Sequence, residues 1–139
     1  MKFGVTVVPS VSDWRLFVDL ECLGGSIAAR AAQDPMVGKD VLLWMARLYL
    51  NGKDAKTPLA APLHADLKGL PPILIQGGTA ETLLDDATRI AEKLHAACVE
   101  VRLSLWPNML HVFPFFAPIL SEGRDGCVEI GNFIRGRMA

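Results

Sequence analysis

The sequence predicts an α/β fold of about three mostly parallel strands alternating with helices. Two observations carry this. Short apolar runs, "FGVTVV" and "PILIQGG", are too brief for helices and end at proline or glycine, as buried strands do. Around them lie segments of helical character, giving the order strand, helix, strand, helix, strand, helix. Such alternation produces a parallel sheet covered by helices.

The elements follow in chain order. "FGVTVV" is the first strand, closed by Pro9. An irregular stretch then ends on Gly24-Gly25-Ser26, and "SIAARAAQ" reads as a short helix broken by Asp34-Pro35. In "KDVLLWMARLYLNG", Val41, Trp44, Met45 and Leu48 fall at i, i+3, i+4 and i+7, the spacing of one helical face. Asn51-Gly52 supplies the stop, because glycine enters the left-handed conformation without a Cβ clash. Residues 53–72 carry four prolines and no period, and are expected to form an ordered surface loop. "PILIQGG" is the second strand. "ETLLDDATRIAEKLHAACVE" is the clearest amphipathic helix, with Leu83, Ala87, Ile90, Leu94 and Ala97 on one stripe. Asp85, Arg89, Glu92 and Lys93 make its wet face, and Asp85 and Arg89 stand in the favourable i, i+4 order for an ion pair. "VRLSLW" alternates as a third strand. "EGRDGCVEIGNFIRGRM" is a last helix, expected to turn Cys127, Ile130 and Ile134 inward and to be weakened by its glycines.

Composition narrows the function classes. The length fits one domain, residues 1–139. A formal net charge of −1 with no basic block gives no footing for nucleic acid or an anionic membrane surface. No apolar run reaches the roughly eighteen residues a membrane span requires, and the N-terminus lacks the pattern of a signal peptide. Cys22, Cys98 and Cys127 have neither metal-ligand nor redox spacing; an odd, scattered set fits reduced thiols in a cytoplasmic protein.

In parallel sheets, sites lie beyond the C-terminal ends of strands. Two stretches meet that rule: "GGTAETLLDD" after the second strand and "PNMLH" after the third. Glu81 and His111 would come side by side if those strands are neighbours, and a carboxylate beside an imidazole fixes its tautomer and stabilises the imidazolium. Asp85 or Asp86 could stand in for Glu81. From spacing alone, His111 reads as a base or as a packed or capping residue, and Glu81 as its partner or as a first-turn acid at the helix dipole. His95 falls on the polar helix face and His64 in the proline-rich loop, where a structural place is expected. Asp85-Asp86 reads as a solvated helix start, and "FPFFAP" as core or pocket wall. A response-regulator-like or flavodoxin-like domain would need an acidic cluster or phosphate loop after the first strand, where only Asp13 stands.

The blocks "RAAQDPMV", "LYLNGKDAKTPLAAPLHADLKGLPPILIQGGTAETLLDDATRIAEKL" and "WPNMLHVF" resemble, in this order, the C-terminal half of hormone-sensitive-lipase-like esterases of the α/β-hydrolase family. The likeness runs from about Leu20 onward. It implies a partial α/β-hydrolase fold in which Glu81 occupies the place of the triad acid and His111 that of the triad histidine. The family often has aspartate followed by proline at the acid position; a glutamate can orient a histidine in the same way. No cofactor or metal is implied, and the substrate class is a small acyl ester.

The third member of such a triad is a serine in a G-x-S-x-G elbow. Upstream of Glu81 stand Ser10, Ser12 and Ser26, and only "GGSIA" approaches the pattern, with Ala28 where the second glycine belongs. In the resemblance, Ser26 falls after the elbow region and is not its counterpart. No His-Gly-Gly-Gly type oxyanion loop is encoded here either. The expectation is therefore a hydrolase half, whether fragment, truncated gene or pseudoenzyme, inactive alone. The alternative is a non-catalytic domain that forms a homo-oligomer, or joins an N-terminal half, through an open sheet edge.

Overall fold

Ile73–Gly78 (β2) is the middle strand of a three-stranded parallel sheet, flanked by Thr6–Val8 (β1) and Val101–Trp106 (β3). The computed structural model describes residues 6–8 and 17–138. The Phe3–Val5 start of the expected first strand lies outside the described residues, as do Ser10, Ser12 and Asp13. Four α-helices complete the order among the described residues: Gly25–Ala29 (α1), Lys39–Leu50 (α2), Leu84–Ala96 (α3) and Ser121–Met138 (α4). Every residue of β2 is buried, as expected of a central parallel strand, with Gln76 its one polar side chain. The register sets Ile73 against Val101 and Gly78 against Trp106, so β2 and β3 end level with each other.

Alternation along β2 separates two layers. Ile73 and Ile75 pack with Ala91 and Leu94 of α3, and with Val99 and Leu67. Gln76 turns to the other face, where its Nε2 donates to the Gly126 carbonyl at 3.1 Å and to Glu129 Oε2 at 2.7 Å, both on α4. A second core joins Phe17, Leu20, Cys22 and Ile27 to Leu42, Ala46 and Leu50 of α2.

Four expectations about side-chain direction are corrected. First, α2 buries Leu42, Ala46 and Leu50, while Val41, Trp44 and Leu48 of the anticipated stripe are more than half exposed. The helix has apolar residues on both sides, and periodicity cannot choose between them. Second, Arg89 does not pair with Asp85; its Nη1 meets Asp19 Oδ2 at 2.6 Å, from a segment distant in sequence. Third, Asp86 is buried rather than solvated, and its Oδ2 accepts from the Val18 and Asp19 amides at 2.8 and 3.2 Å. Fourth, Cys127 is exposed, and α4 buries Gly123, Gly126 and Phe133 instead. The expected surface loop of residues 53–72 is mixed, for Ala61 and Leu67 are buried within it.

The glycines of α4 have a packing reason. A Cβ on Gly123 would lie 2.8 Å from the Ala117 amide nitrogen, and one on Gly126 would lie 2.9 Å from the Phe113 ring. The helix is drawn onto the 3₁₀ turn Phe113–Phe116, which buries Phe113. Gly136, on the same helix, has nothing within 4 Å of such a Cβ. Alanine normally stabilises a helix by about 0.5–1 kcal/mol over glycine. Gly136→Ala should therefore raise the urea midpoint, whereas Gly123→Ala should lower it, the backbone clash costing about 1–3 kcal/mol of stability. Equal effects at the two positions would refute the close-approach account.

Asp86 makes stability depend on pH. Burial pushes its carboxyl up to about 6, with the Asp19 charge adding, against the opposing amide hydrogen bonds and Arg89. The folded state thus holds its proton where the unfolded chain has lost it, and stability from this group falls as pH rises from about 4 to 6. Asp19 runs the other way: burial raises it, but Arg89 and the Leu23 and Glu21 amides outweigh burial and hold it below the usual range. Its contribution is present above the usual aspartate range and is lost as pH falls further. Denaturant titrations at pH 4 and pH 7 should show that Asp86→Asn gains stability relative to wild type at the higher pH, on the order of 3 kcal/mol at most.

Candidate active site

Two loops leave the level ends of β2 and β3 and are joined by backbone hydrogen bonds. The Thr79 amide donates to the Trp106 carbonyl at 2.9 Å, and the Ala80 amide to the Met109 carbonyl at 3.1 Å. In return, the Asn108 amide donates to Thr79 Oγ1 at 2.9 Å. Both glycines of "QGG" are needed for this. A Cβ on Gly78 would stand 1.9 Å from the Met109 carbonyl oxygen, and one on Gly77 would stand 3.0 Å from Glu81 Oε1. One glycine admits the backbone of the histidine loop; the other makes room for the carboxylate.

The sequence-predicted pair meets here. His111 Nδ1 lies 3.1 Å from Glu81 Oε2. Glu81 is buried and His111 partly so, at 4% and 16% side-chain exposure, which keeps water from competing for the contact. A carboxylate in its ionised form only accepts, so this contact favours the tautomer with the proton on Nδ1 and leaves the Nε2 lone pair outside it. Glu81 precedes α3 rather than standing in its first turn; the first-turn acids are Asp85 and Asp86. Those two, the alternatives to Glu81, are taken elsewhere: Asp85 Oδ2 accepts the Ser26 amide at 3.0 Å, and Asp86 holds the Val18 and Asp19 amides.

Ser26 is buried and its hydroxyl is committed twice. Oγ donates to the Thr82 carbonyl at 2.7 Å and accepts from the Asp85 amide at 2.9 Å, satisfying a donor at the start of α3. Its place is that of a staple between α1 and α3. Asp34, legible in sequence only as a helix breaker before proline, is also buried. Its Oδ2 accepts from the Thr82 amide at 2.9 Å, and its Oδ1 from Met36. Asp34 therefore grips the residue next to Glu81. Asp34 and Thr82 are 48 residues apart, and nothing local in the sequence signals the contact.

Ligand atoms of Asp19, Glu21 and His64 lie within 4.8 Å of one another. Asp19 is already held by Arg89 and by the Glu21 and Leu23 amides, and His64 Nε2 is 4.0 Å from Glu21 Oε2. Asp19 is thus engaged by protein partners, and His64 stands beside Glu21. His95 is exposed on α3, and no helix among the described residues is long and apolar enough to cross a membrane.

The family model described as alpha/beta hydrolase fold matches residues 3–115. The chain belongs to the α/β-hydrolase family. An acetyl-hydrolase of Streptomyces hygroscopicus is 41% identical over 125 residues, covering 90% of this chain and 41% of the relative. An esterase of Acinetobacter venetianus is 31% identical over 118 residues, covering 84% and 39%. Among solved structures, a mutant of the esterase E40 superposes with a TM-score of 0.90 at 44% identity, over 97% of this chain and 44% of that one. An esterase from the bacterial hormone-sensitive lipase family gives 0.86 at 46% identity, over 88% and 41%. This α/β-hydrolase chain is of the hormone-sensitive-lipase-like kind and spans about two fifths of the length of the curated relatives it matches first.

Gly78→Ala tests the joint between the loops. The Cβ would meet a backbone carbonyl that cannot swing away, so a stability loss of about 1–3 kcal/mol or more is expected. Loss of the Ala80 amide's protection from hydrogen exchange should accompany it. Unchanged protection at Ala80 would disprove the steric reading.

Proposed function

We propose that the chain carries the acid and histidine of a serine-type carboxylic-ester hydrolase, with Glu81 orienting His111 and His111 moving the proton at Nε2. The observation that supports the reading is the 3.1 Å contact between Glu81 and His111 at the tips of neighbouring parallel strands. Family membership and the names of the relatives, acetyl-hydrolase and esterase, agree with it. In the proposed reaction, a serine hydroxyl attacks the acyl carbon while Nε2 takes its proton, and the imidazolium then returns that proton to the leaving alcohol. Glu81 stabilises the imidazolium and excludes the wrong tautomer.

No serine of this sequence stands in the elbow pattern of such a nucleophile. No G-x-S-x-G occurs in the 139 residues, and the hydroxyl of Ser26 is engaged at α3. The serine and the oxyanion donors are proposed to come from outside these residues, from a further stretch of the same polypeptide or from another chain. Without them, turnover should be lower by about a million-fold.

The test uses a short-chain p-nitrophenyl ester and a fluorophosphonate probe. The 139 residues alone should neither hydrolyse the ester nor take up label. Co-expression with the part of the Streptomyces acetyl-hydrolase that this chain does not match should restore both, and His111→Ala should abolish them. Labelling of Ser26 in the isolated chain, lost in His111→Ala, would overturn the assignment of the nucleophile.

A second, non-catalytic reading has its own support. β1 and β3 each have a neighbour on one side only among the described residues, and Val41, Trp44, Leu48 and Tyr49 present apolar surface on α2. Open edges and such patches favour association. Sedimentation at micromolar concentration should then show oligomers, and a monomer with a sharp two-state melt would refute this reading.

A further inference from the structure

Two peptide planes meet at the α-carbon of Glu81. Each is rigid, so a hydrogen bond to its N–H constrains the α-carbons at both of its ends. The plane before Glu81 is held loosely through its N–H, which reaches the Gly78 carbonyl at 3.4 Å. The plane after it carries the Thr82 amide, which donates to Asp34 Oδ2 at 2.9 Å. A carboxylate in its ionised form makes such bonds about twice as strong as neutral acceptors do. Asp34 is itself clamped. It is buried, the Thr82 hydroxyl adds a second bond to Oδ2 at 3.2 Å, and Oδ1 accepts from the Met36 and Val37 amides at 2.9 and 3.3 Å. Thr82 is buried too, and its carbonyl accepts from Ser26 Oγ at 2.7 Å. Glu81 therefore stands beside a post fixed from the segments that carry Ser26 and Asp34.

We propose that Asp34 is a positioning residue: through the Thr82 amide it sets the peptide plane from which the Glu81 side chain leaves, and so keeps that carboxylate on His111 Nδ1. The inference rests on the acid–histidine reading above and deepens it. Of the donors that Asp34 receives, only the Thr82 amide lies in a plane shared with Glu81. The Thr82 hydroxyl hangs from the next α-carbon and has a further acceptor in the Val37 carbonyl at 3.1 Å. Losing the amide bond should disturb the ring, whereas losing the hydroxyl should lower stability and leave the ring in place. An Asp34 that served stability alone would make both losses act alike.

The experiment is nuclear magnetic resonance on the 139-residue chain, with long-range ¹H–¹⁵N correlation reporting the His111 tautomer and exchange reporting its Nδ1 proton. In Asp34→Ala, the ring should lose its single tautomer and the proton should exchange about tenfold faster or more. Thr82→Val, which keeps the amide and deletes the hydroxyl, should lower the melting temperature yet retain the wild-type ring signals. Should Asp34→Ala not fold, an ester in place of the amide between Glu81 and Thr82 removes the same N–H while leaving Asp34 its other partners, and the ring should respond as described. Unchanged ring signals in Asp34→Ala, or in the ester where it replaces that variant, would overturn the proposal. So would ring changes of equal size in Thr82→Val, since Asp34 would then be acting through stability alone. Glu81→Ala separates this proposal from the reading beneath it. If it leaves the ring signals as in wild type, the acid–histidine pairing itself fails; if it alters them and Asp34→Ala does not, only the role of Asp34 falls.

Discussion

The structure depends on one close approach, that of the Met109 carbonyl to the α-carbon of Gly78. No side chain larger than hydrogen fits there, because the carbonyl occupies the place a Cβ would take. From this contact the Ala80 amide finds its acceptor, the two strand tips stay level, and the loops bearing Glu81 and His111 travel side by side. A catalytic pair, as these two are proposed to be, needs placement to within a fraction of an ångström. Here that placement is delegated to backbone, the least mobile material available.

A second tier of contacts holds the acid loop from behind. Asp34 grips the Thr82 amide, Ser26 bridges Thr82 and Asp85, and Asp86 ties down the segment before α1. These are short polar side chains bonded to backbone amides across long sequence separations. Truncating one of them would leave buried donors unmet, and such a loss exceeds the net value of an ordinary hydrogen bond. The acid loop is thus fastened by buried polar groups rather than by a hydrophobic plug, whereas the histidine loop is fastened by Phe113 under α4.

The fold was largely legible. β2 could be read because a strand buried on both faces is almost wholly apolar, and α3 because its two faces differ in polarity. Glu81 and His111 could be placed because parallel strands concentrate loops at one end. Legibility failed where a residue's direction is set by a partner distant in sequence. Arg89 had a plausible neighbour at Asp85 but found Asp19, and Asp86 turned inward to amides that no local pattern announces. In α2 two apolar stripes competed, and the packing of Phe17, Leu20 and Ile27 decided for Leu42 and Ala46. In α4 the glycines looked like weaknesses in one dimension and proved to be points of contact in three.

Ser26 shows how a group can be chemically suitable and still out of reach. Its oxygen is a fastener on which the first turn of α3 hangs, with both its donor and an acceptor lone pair spoken for. Freeing it to attack an acyl carbon would unbutton the helix that carries Asp85 and Asp86 and follows directly on Glu81. A designer wishing to give this scaffold a nucleophile would do better to graft one from elsewhere than to recruit the serine already present.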